Sequence, residues 1–290
     1  MIPAGCSNAG RCNSLLISRG PFVFMPSNNH KPAAVQVLAV ANQKGGVGKT
    51  TTAVNLASAL AERGVRVLAV DLDPQGHLTV NMGVSHPDDL RVTVYDMLCE
   101  HQVSAADIRL HSPGVGVDFL PSNVELAGAE LQLVTEIGRE SVLLEKLTPI
   151  LPDYDFVIID CPPSLGLLCI NALVAATDVV IPLQCEYFGM KGMEQLQRTI
   201  ERVRVKLNPR LRINGILPTI HKGRTVHANE VLNDVQSHFG NLVYPFQVTD
   251  SIRFAECPLA GQSILQYASE SDGAAAYRQL AEAVLSRKGH

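Results

Sequence analysis

The stretch Asn42-Gln43-Lys44-Gly45-Gly46-Val47-Gly48-Lys49-Thr50-Thr51-Thr52 constrains this chain more than any other. An apolar run over 35–41 leads into it, and a helical pattern over 50–63 leads out. Strand, glycine-rich loop and helix in that order are the setting in which a loop cradles phosphate. Glycines let backbone N–H groups approach phosphate oxygens, and the helix N-terminus adds partial positive charge at the same spot. In the general pattern G-x-x-x-x-G-K-[ST], the lysine (here Lys49) reaches the terminal phosphates and the hydroxyl (here of Thr50) ligates Mg²⁺. This loop departs from the pattern once: Gln43 stands at the first glycine position, and a second lysine, Lys44, opens the loop.

Beyond the loop, strand-like apolar runs recur at 66–70, 115–120, 156–159, 179–183 and 211–217. Helical patterns lie near 125–150, 165–176, 190–207, 226–239 and 272–287. Several runs are β-branched and nearly free of charge, as strands buried on both faces require. The alternation predicts an α/β fold of the P-loop NTPase type, with a doubly wound, mostly parallel sheet and helices on both faces. Residues 1–34 have no periodicity and read as a flexible extension, and 35–290 read as a single domain.

A phosphate loop needs acids to hold Mg²⁺ and to position water. Two apolar runs end in them: Val67-Leu68-Ala69-Val70-Asp71-Leu72-Asp73 and Phe156-Val157-Ile158-Ile159-Asp160. Ligands of open parallel sheets sit at the carboxyl ends of strands, where the loop after Ala41 also lies. Extended geometry puts Asp71 and Asp73 on one side of the chain. A helix N-cap is the plainer use of any single Asp. Three acids together with the loop favour the site.

With 46% apolar and 18% charged residues, the composition is that of a soluble globular chain with a sizeable core. The net charge of −4 argues against indiscriminate coating of nucleic acid, but it is unevenly spread. Between Arg198 and Arg224 stand eight Lys/Arg and one acid, giving +7 there and −11 elsewhere. Arg202, Lys206 and Arg210, at four-residue spacing, suit a solvated helix face as well as a nucleic-acid contact. The seven cysteines are scattered, without metal or disulfide spacing, which suggests a reducing cytoplasm. No run approaches the roughly 18 apolar residues of a membrane span, and no secretion signal is expected.

The segments Lys44-Gly45-Gly46-Val47-Gly48-Lys49-Thr50-Thr51-Thr52, Val70-Asp71-Leu72-Asp73-Pro74-Gln75-Gly76 and Ile158-Ile159-Asp160-Cys161-Pro162-Pro163-Ser164-Leu165-Gly166 resemble those of the ParA/MinD family of deviant Walker A ATPases, and most of all its ParA/Soj partition branch. The resemblance runs from about Val35 to Leu285 and takes in Gly215-Ile216-Leu217-Pro218-Thr219. It implies a homodimer that sandwiches two ATP molecules with Mg²⁺. Lys44, Gly45, Gly46, Val47, Gly48, Lys49, Thr50 and Thr51 are then the nucleotide-binding set. Lys44, Lys49 and Asp73 are its catalytic members: Lys44 crosses to the partner's nucleotide, and Asp73 orients the attacking water. Thr50, Asp71 and Asp160 form the metal shell, Asp160 acting through water and Asp71 in support. The resemblance also implies non-specific double-stranded DNA contacts at Arg224 and Arg253, a ParB-like centromere-binding partner, and a cytoplasmic, nucleoid-associated location. Asp250, three residues before Arg253, departs from the family pattern and weakens that position's attraction for phosphate.

The main alternative is a MinD-like, membrane-associated positioning ATPase, which needs a basic amphipathic C-terminal helix. Tyr277, Leu280, Ala281, Val284 and Leu285 form an apolar stripe, but one of the kind that usually packs in a core. No stable membrane association is expected. A cluster-bearing iron protein would need cysteine spacing that Cys161 and Cys185 do not supply. An amidation or carboxylation enzyme would need a further substrate constellation.

Overall fold

The computed structural model describes residues 35–184, 189–219 and 226–287; the extension 1–34, Cys185, Lys222 and Arg224 lie outside them. Seven strands form one sheet: β1 (Gln36–Val40), β2 (Val67–Asp71), β3 (Leu110–Ser112), β4 (Val117–Leu120), β5 (Phe156–Asp160), β6 (Asp178–Gln184) and β7 (Arg212–Thr219). Their order is β3-β4-β2-β5-β1-β6-β7. Every pairing is parallel except β3 with β4, which is antiparallel. The expected α/β architecture with a mostly parallel sheet is therefore the one observed.

Both faces of the sheet are covered, and the strand period sorts the residues between them. Val37 and Ala39 of β1, Leu68 and Val70 of β2, and Val157 and Ile159 of β5 enter one core. Leu38 and Val40, Val67 and Ala69, and Phe156 and Ile158 enter the other. Side chains of a strand alternate in direction, so a strand buried on both sides needs apolar residues at every position. That is why these runs carry so little charge. The second core is closed by the helices Lys49–Ala61 and Asp272–Ser286. The first is closed by helices that include Leu167–Ala175 and Gly189–Lys206.

Helix Gly189–Lys206 buries Met193, Leu196, Ile200 and Val203 and turns Arg198, Arg202, Arg204 and Lys206 to solvent. Two of these arginines meet acids of the same helix, Arg198 with Glu194 at 3.9 Å and Arg204 with Glu201 at 2.6 Å. For these two, the solvated-face reading describes the geometry.

The helix expected over 125–150 is broken into Leu126–Leu133 and Val142–Leu147. Between them the Arg139 guanidinium donates to Val134 O at 2.7 Å, and Ser141 Oγ donates to Gly138 O at 2.9 Å. Side chains thus satisfy carbonyls that a continuous helix would have paired with its own backbone. Strand β3 and the helices Val94–Cys99 and Ala105–Ile108 are too short to show a period. The two helices do carry start signals, the reciprocal caps Thr93 with Asp96 and Ser104 with Asp107.

The C-terminal stripe is core: Tyr277, Leu280, Ala281 and Val284 are all buried against the second core. No described helix is long and apolar enough to cross a membrane. Truncating Leu280 to Ala should cost about 2–5 kcal/mol of stability, as cavity formation in a packed core does. Urea unfolding of the Leu280→Ala chain checks this, and a loss below about 0.5 kcal/mol would mean the helix is not docked.

Candidate functional site

Parallel pairing sets three strand ends at one level: Val40 of β1 and Asp71 of β2 are both Cα partners of Asp160 on β5. The loop leaves β1 at that level. Gly46 and Gly48 have φ of +73° and +86°, a left-handed conformation that costs other residues roughly 1–2 kcal/mol each. Gly48 is the N-cap of helix Lys49–Ala61, and no side chain caps that end. The first helical bond runs from Thr52 N to Gly48 O at 2.9 Å. By helix geometry, the N–H groups of Lys49, Thr50 and Thr51 have no partner within the helix and point out of its N-terminus. An anion is the natural complement of such an end.

The rest of the loop is tied to the neighbouring strands. Asn42 Nδ2 donates to Pro182 O at 2.7 Å, and Thr219 Oγ1 donates to Val47 O at 2.7 Å. Lys44 Nζ donates to Gln184 Oε1 at 3.0 Å, and Lys49 Nζ lies 3.4 Å from Lys44 O. Lys49 is buried, so its charge is held at the mouth of the loop instead of being dispersed in water.

The three acids differ in what they do for one another. Asp71 is fully buried, and its Oδ2 accepts from Thr79 N at 2.8 Å and Thr79 Oγ1 at 2.7 Å. Its Oδ1 accepts from Asp73 N at 3.2 Å, so Asp71 braces the turn that presents Asp73. Asp73 Oδ1 accepts from Gln75 N at 3.0 Å. Asp160 Oδ2 accepts from Thr50 Oγ1 at 2.6 Å, while its Oδ1 is buried with no partner among the described residues. Burial raises the Asp160 carboxyl well above the carboxylate range, and the nearby Asp71 charge pushes the same way. The Thr50 hydrogen bond and the Lys49 charge oppose that rise. An orphaned carboxylate oxygen beside a threonine hydroxyl is the donor set that a hard, oxygen-seeking divalent cation takes. The residues present fit Mg²⁺.

The loop and Asp73 face a cavity of about 620 Å³, within the range of small-molecule sites. Gly45, Gly46, Gly48, Lys49, Thr50, Thr51 and Asp73 line it, with Thr219, Phe254 and Tyr277 on other walls. Lys44, Val47, Asp71 and Asp160 stand outside its wall. Arg253 is exposed at the start of helix Arg253–Ala260, in an adjoining groove that Asp250, Glu270 and Asp272 also line. Arg224 lies outside the described residues. Sequence reasoning assigned no role to Gln184, Thr219 or Thr79. Each is an ordinary polar residue: Gln184 and Thr219 reach the loop through the order of the sheet, and Thr79 reaches Asp71 across the turn after β2.

Burial pushes Asp71 up to about 7 from an ordinary 3.8, against the pull of the Thr79 hydrogen bonds. Between those values the folded chain holds a proton that the unfolded chain has released. This contribution to stability is therefore full below pH 4 or so and fades as pH rises through about 7. With EDTA present, Asp71→Asn should flatten the fall in stability between pH 5 and pH 8 by a few kcal/mol. Urea unfolding at the two pH values measures it; equal slopes in both chains would contradict the burial account.

The AAA domain family matches residues 35–213. The chromosome partitioning protein ParA of Caulobacter vibrioides is 44% identical over 257 residues, covering 88% of this chain and 95% of that one. The sporulation initiation inhibitor protein Soj of Bacillus subtilis is 43% identical over 249 residues, covering 86% and 98%. A Mycobacterium smegmatis crystal structure, described as cobyrinic acid a,c-diamide synthase with bound ADP and magnesium, has a TM-score of 0.77 at 43% identity, covering 88% of this chain and 97% of that one. A loop opened by Lys44, a fold of P-loop ATPase type and relatives matched along nearly their whole length lead to one conclusion: this chain belongs to the ParA/Soj family of partition ATPases.

Proposed function

We propose that the chain is an ATP-driven partition ATPase. ATP and Mg²⁺ in the cavity under Lys44–Thr51 join two copies, the pair holds DNA without sequence preference, and hydrolysis, quickened by a ParB-like partner, releases both. The observation that carries this reading is the pair of lysines at one loop. Lys49 is buried within the site, and Lys44, half-buried on the same loop, does not line the cavity. The M. smegmatis protein, 43% identical, has been crystallised with ADP and with an ATP analogue, each with magnesium, which supports the same ligands here.

Phosphoryl transfer is mainly positioning and charge neutralisation. The N–H groups of Lys49, Thr50 and Thr51 receive the phosphates, and Lys49 Nζ donates to the terminal ones. Thr50 Oγ1 and Asp160 would hold the cation when it is bound. Mg²⁺, when bound, neutralises charge on the terminal phosphates. Asp73 orients the attacking water, and Asp71 fixes Asp73 by accepting from its backbone. Lys44 completes the neutralisation on the partner's nucleotide, which makes turnover depend on pairing and turns nucleotide state into assembly state.

DNA contacts of this kind go to phosphates. One subunit binds weakly, with a Kd of about 10⁻⁴ to 10⁻⁶ M at physiological salt, and pairing raises avidity roughly 10²–10⁴-fold. We assign Arg224 the larger share, since Arg253 shares its groove with three carboxylates. The name of the M. smegmatis protein favours a second reading, a small-molecule synthase. ParA and Soj, at similar identity and 95–98% coverage of their own length, favour partition.

A DNA mobility shift across a salt series, with ATP and with ADP, separates the two readings. The partition reading expects a shift with ATP alone that weakens as salt rises. The Asp73→Ala chain should keep its shift long after wild type has turned over its ATP. A shift indifferent to nucleotide, or none at low salt, would remove the DNA step; normal turnover in Asp73→Ala would remove that residue's role.

A further inference from the structure

The segment that carries Lys44 is fastened from one side by the ends of two strands. Gln184 and Thr219 are Cα partners, the last residues of β6 and β7. Thr219 holds the Val47 carbonyl at 2.7 Å, and Gln184 holds the Lys44 ammonium at 3.0 Å. Asn42 adds a third tie, donating to Pro182 O on β6 at 2.7 Å while its Oδ1 accepts from Lys44 N at 3.0 Å. The ties at Thr219 and Asn42 grip backbone and do not depend on where the Lys44 side chain points. The tie at Gln184 depends on nothing else.

A lysine carries one compact charge on a flexible stem. That charge cannot rest on Gln184 of its own subunit and also reach a phosphate bound to another. The two positions compete. Resting on the dimer reading above, we propose that Gln184 is a positioning residue. It holds Lys44 on its own subunit while the subunit is alone, and so sets the concentration at which ATP pairs two copies. A neutral amide suits this task. Its hydrogen bond to an ammonium is firm enough to order the side chain, yet phosphate oxygens bearing full negative charge outbid it. Both residues make further contacts, and one hydrogen bond exchanged against water is worth little net, so the tie biases the equilibrium instead of locking it. A contact made only by the lone subunit weakens pairing by the factor with which it favours that state.

Two substitutions move the bias in opposite directions: Gln184→Leu removes the acceptor, and Gln184→Glu gives it a charge. Acylation of Lys44 by a succinimidyl ester, followed by mass spectrometry on the full nucleotide-free chain, reads the tie itself. Sedimentation velocity with ATP reads its consequence. Gln184→Leu should label Lys44 roughly three-fold faster or more and tighten the ATP-dependent dimer by about the square of that factor, since each of the two subunits releases one tie, whereas Gln184→Glu should do the reverse. Thermal melting checks that each variant folds, and Gln184→Met replaces the leucine variant if that one does not. Equal labelling in all chains, or a weaker dimer in Gln184→Leu, would overturn the proposal. Should labelling respond while no chain pairs with ATP, wild type included, the threshold role falls with the dimer reading, and the contact between the two side chains stands.

Discussion

Parallel hydrogen bonding among β2, β5 and β1 is the constraint on which the site depends. It sets the ends of the three strands level, so that a loop leaving β1 meets carboxylates leaving β2 and β5. A slip of one residue in any of these pairings would turn Asp71 or Asp160 to the opposite face of the sheet. The alternating core residues oppose such a slip, because it would drive each apolar set into the wrong layer. The same cores that stabilise the fold therefore also fix the chemistry.

The arrangement has an electrostatic cost at its centre. Asp71 and Asp160 are Cα partners, both fully buried, and the charge of Asp71 raises the energy of the ionised Asp160 carboxyl. Hydrogen bonds from Thr79 and Thr50 and the charge of Lys49 offset part of this. An Asp160 oxygen with no partner among the described residues leaves the rest uncompensated. Burial of like charges without full pairing is a poor way to stabilise a fold and a common way to prepare a site. The missing compensation is of the sign and hardness that a divalent cation supplies.

Much of this was legible in the sequence because it is local. The loop spells its own conformation: glycines stand where φ is positive, and Lys49-Thr50 stand where a helix begins. Asp73 and Asp160 were legible because each closes a largely apolar run, and strand ends are where a parallel sheet gathers the polar groups of a ligand site. The bracing role of Asp71 was not legible, since Thr79 reaches it across a turn that spacing does not reveal. The loop contacts of Gln184 and Thr219 were hidden for a stronger reason. Their contacts with the loop span 140 and 172 residues of chain and arise from sheet order alone. The break in the helix over 125–150 rested on Arg139 and Ser141 satisfying carbonyls, which apolar periodicity does not register.

Lys44 links the phosphate loop, the sheet and the assembly. As a departure from the general phosphate-loop pattern it is a single substitution, and in the folded chain it is a charge outside the cavity, held by a neighbouring strand. Its assigned purpose lies in a second subunit, so the central claim concerns assembly. Sedimentation velocity of the Lys44→Ala chain with ATP and Mg²⁺, beside wild type and with nucleotide binding measured in both, tests it most directly. The expected result is a wild-type dimer and a Lys44→Ala monomer that still binds ATP. A Lys44→Ala chain that pairs as readily as wild type would contradict it.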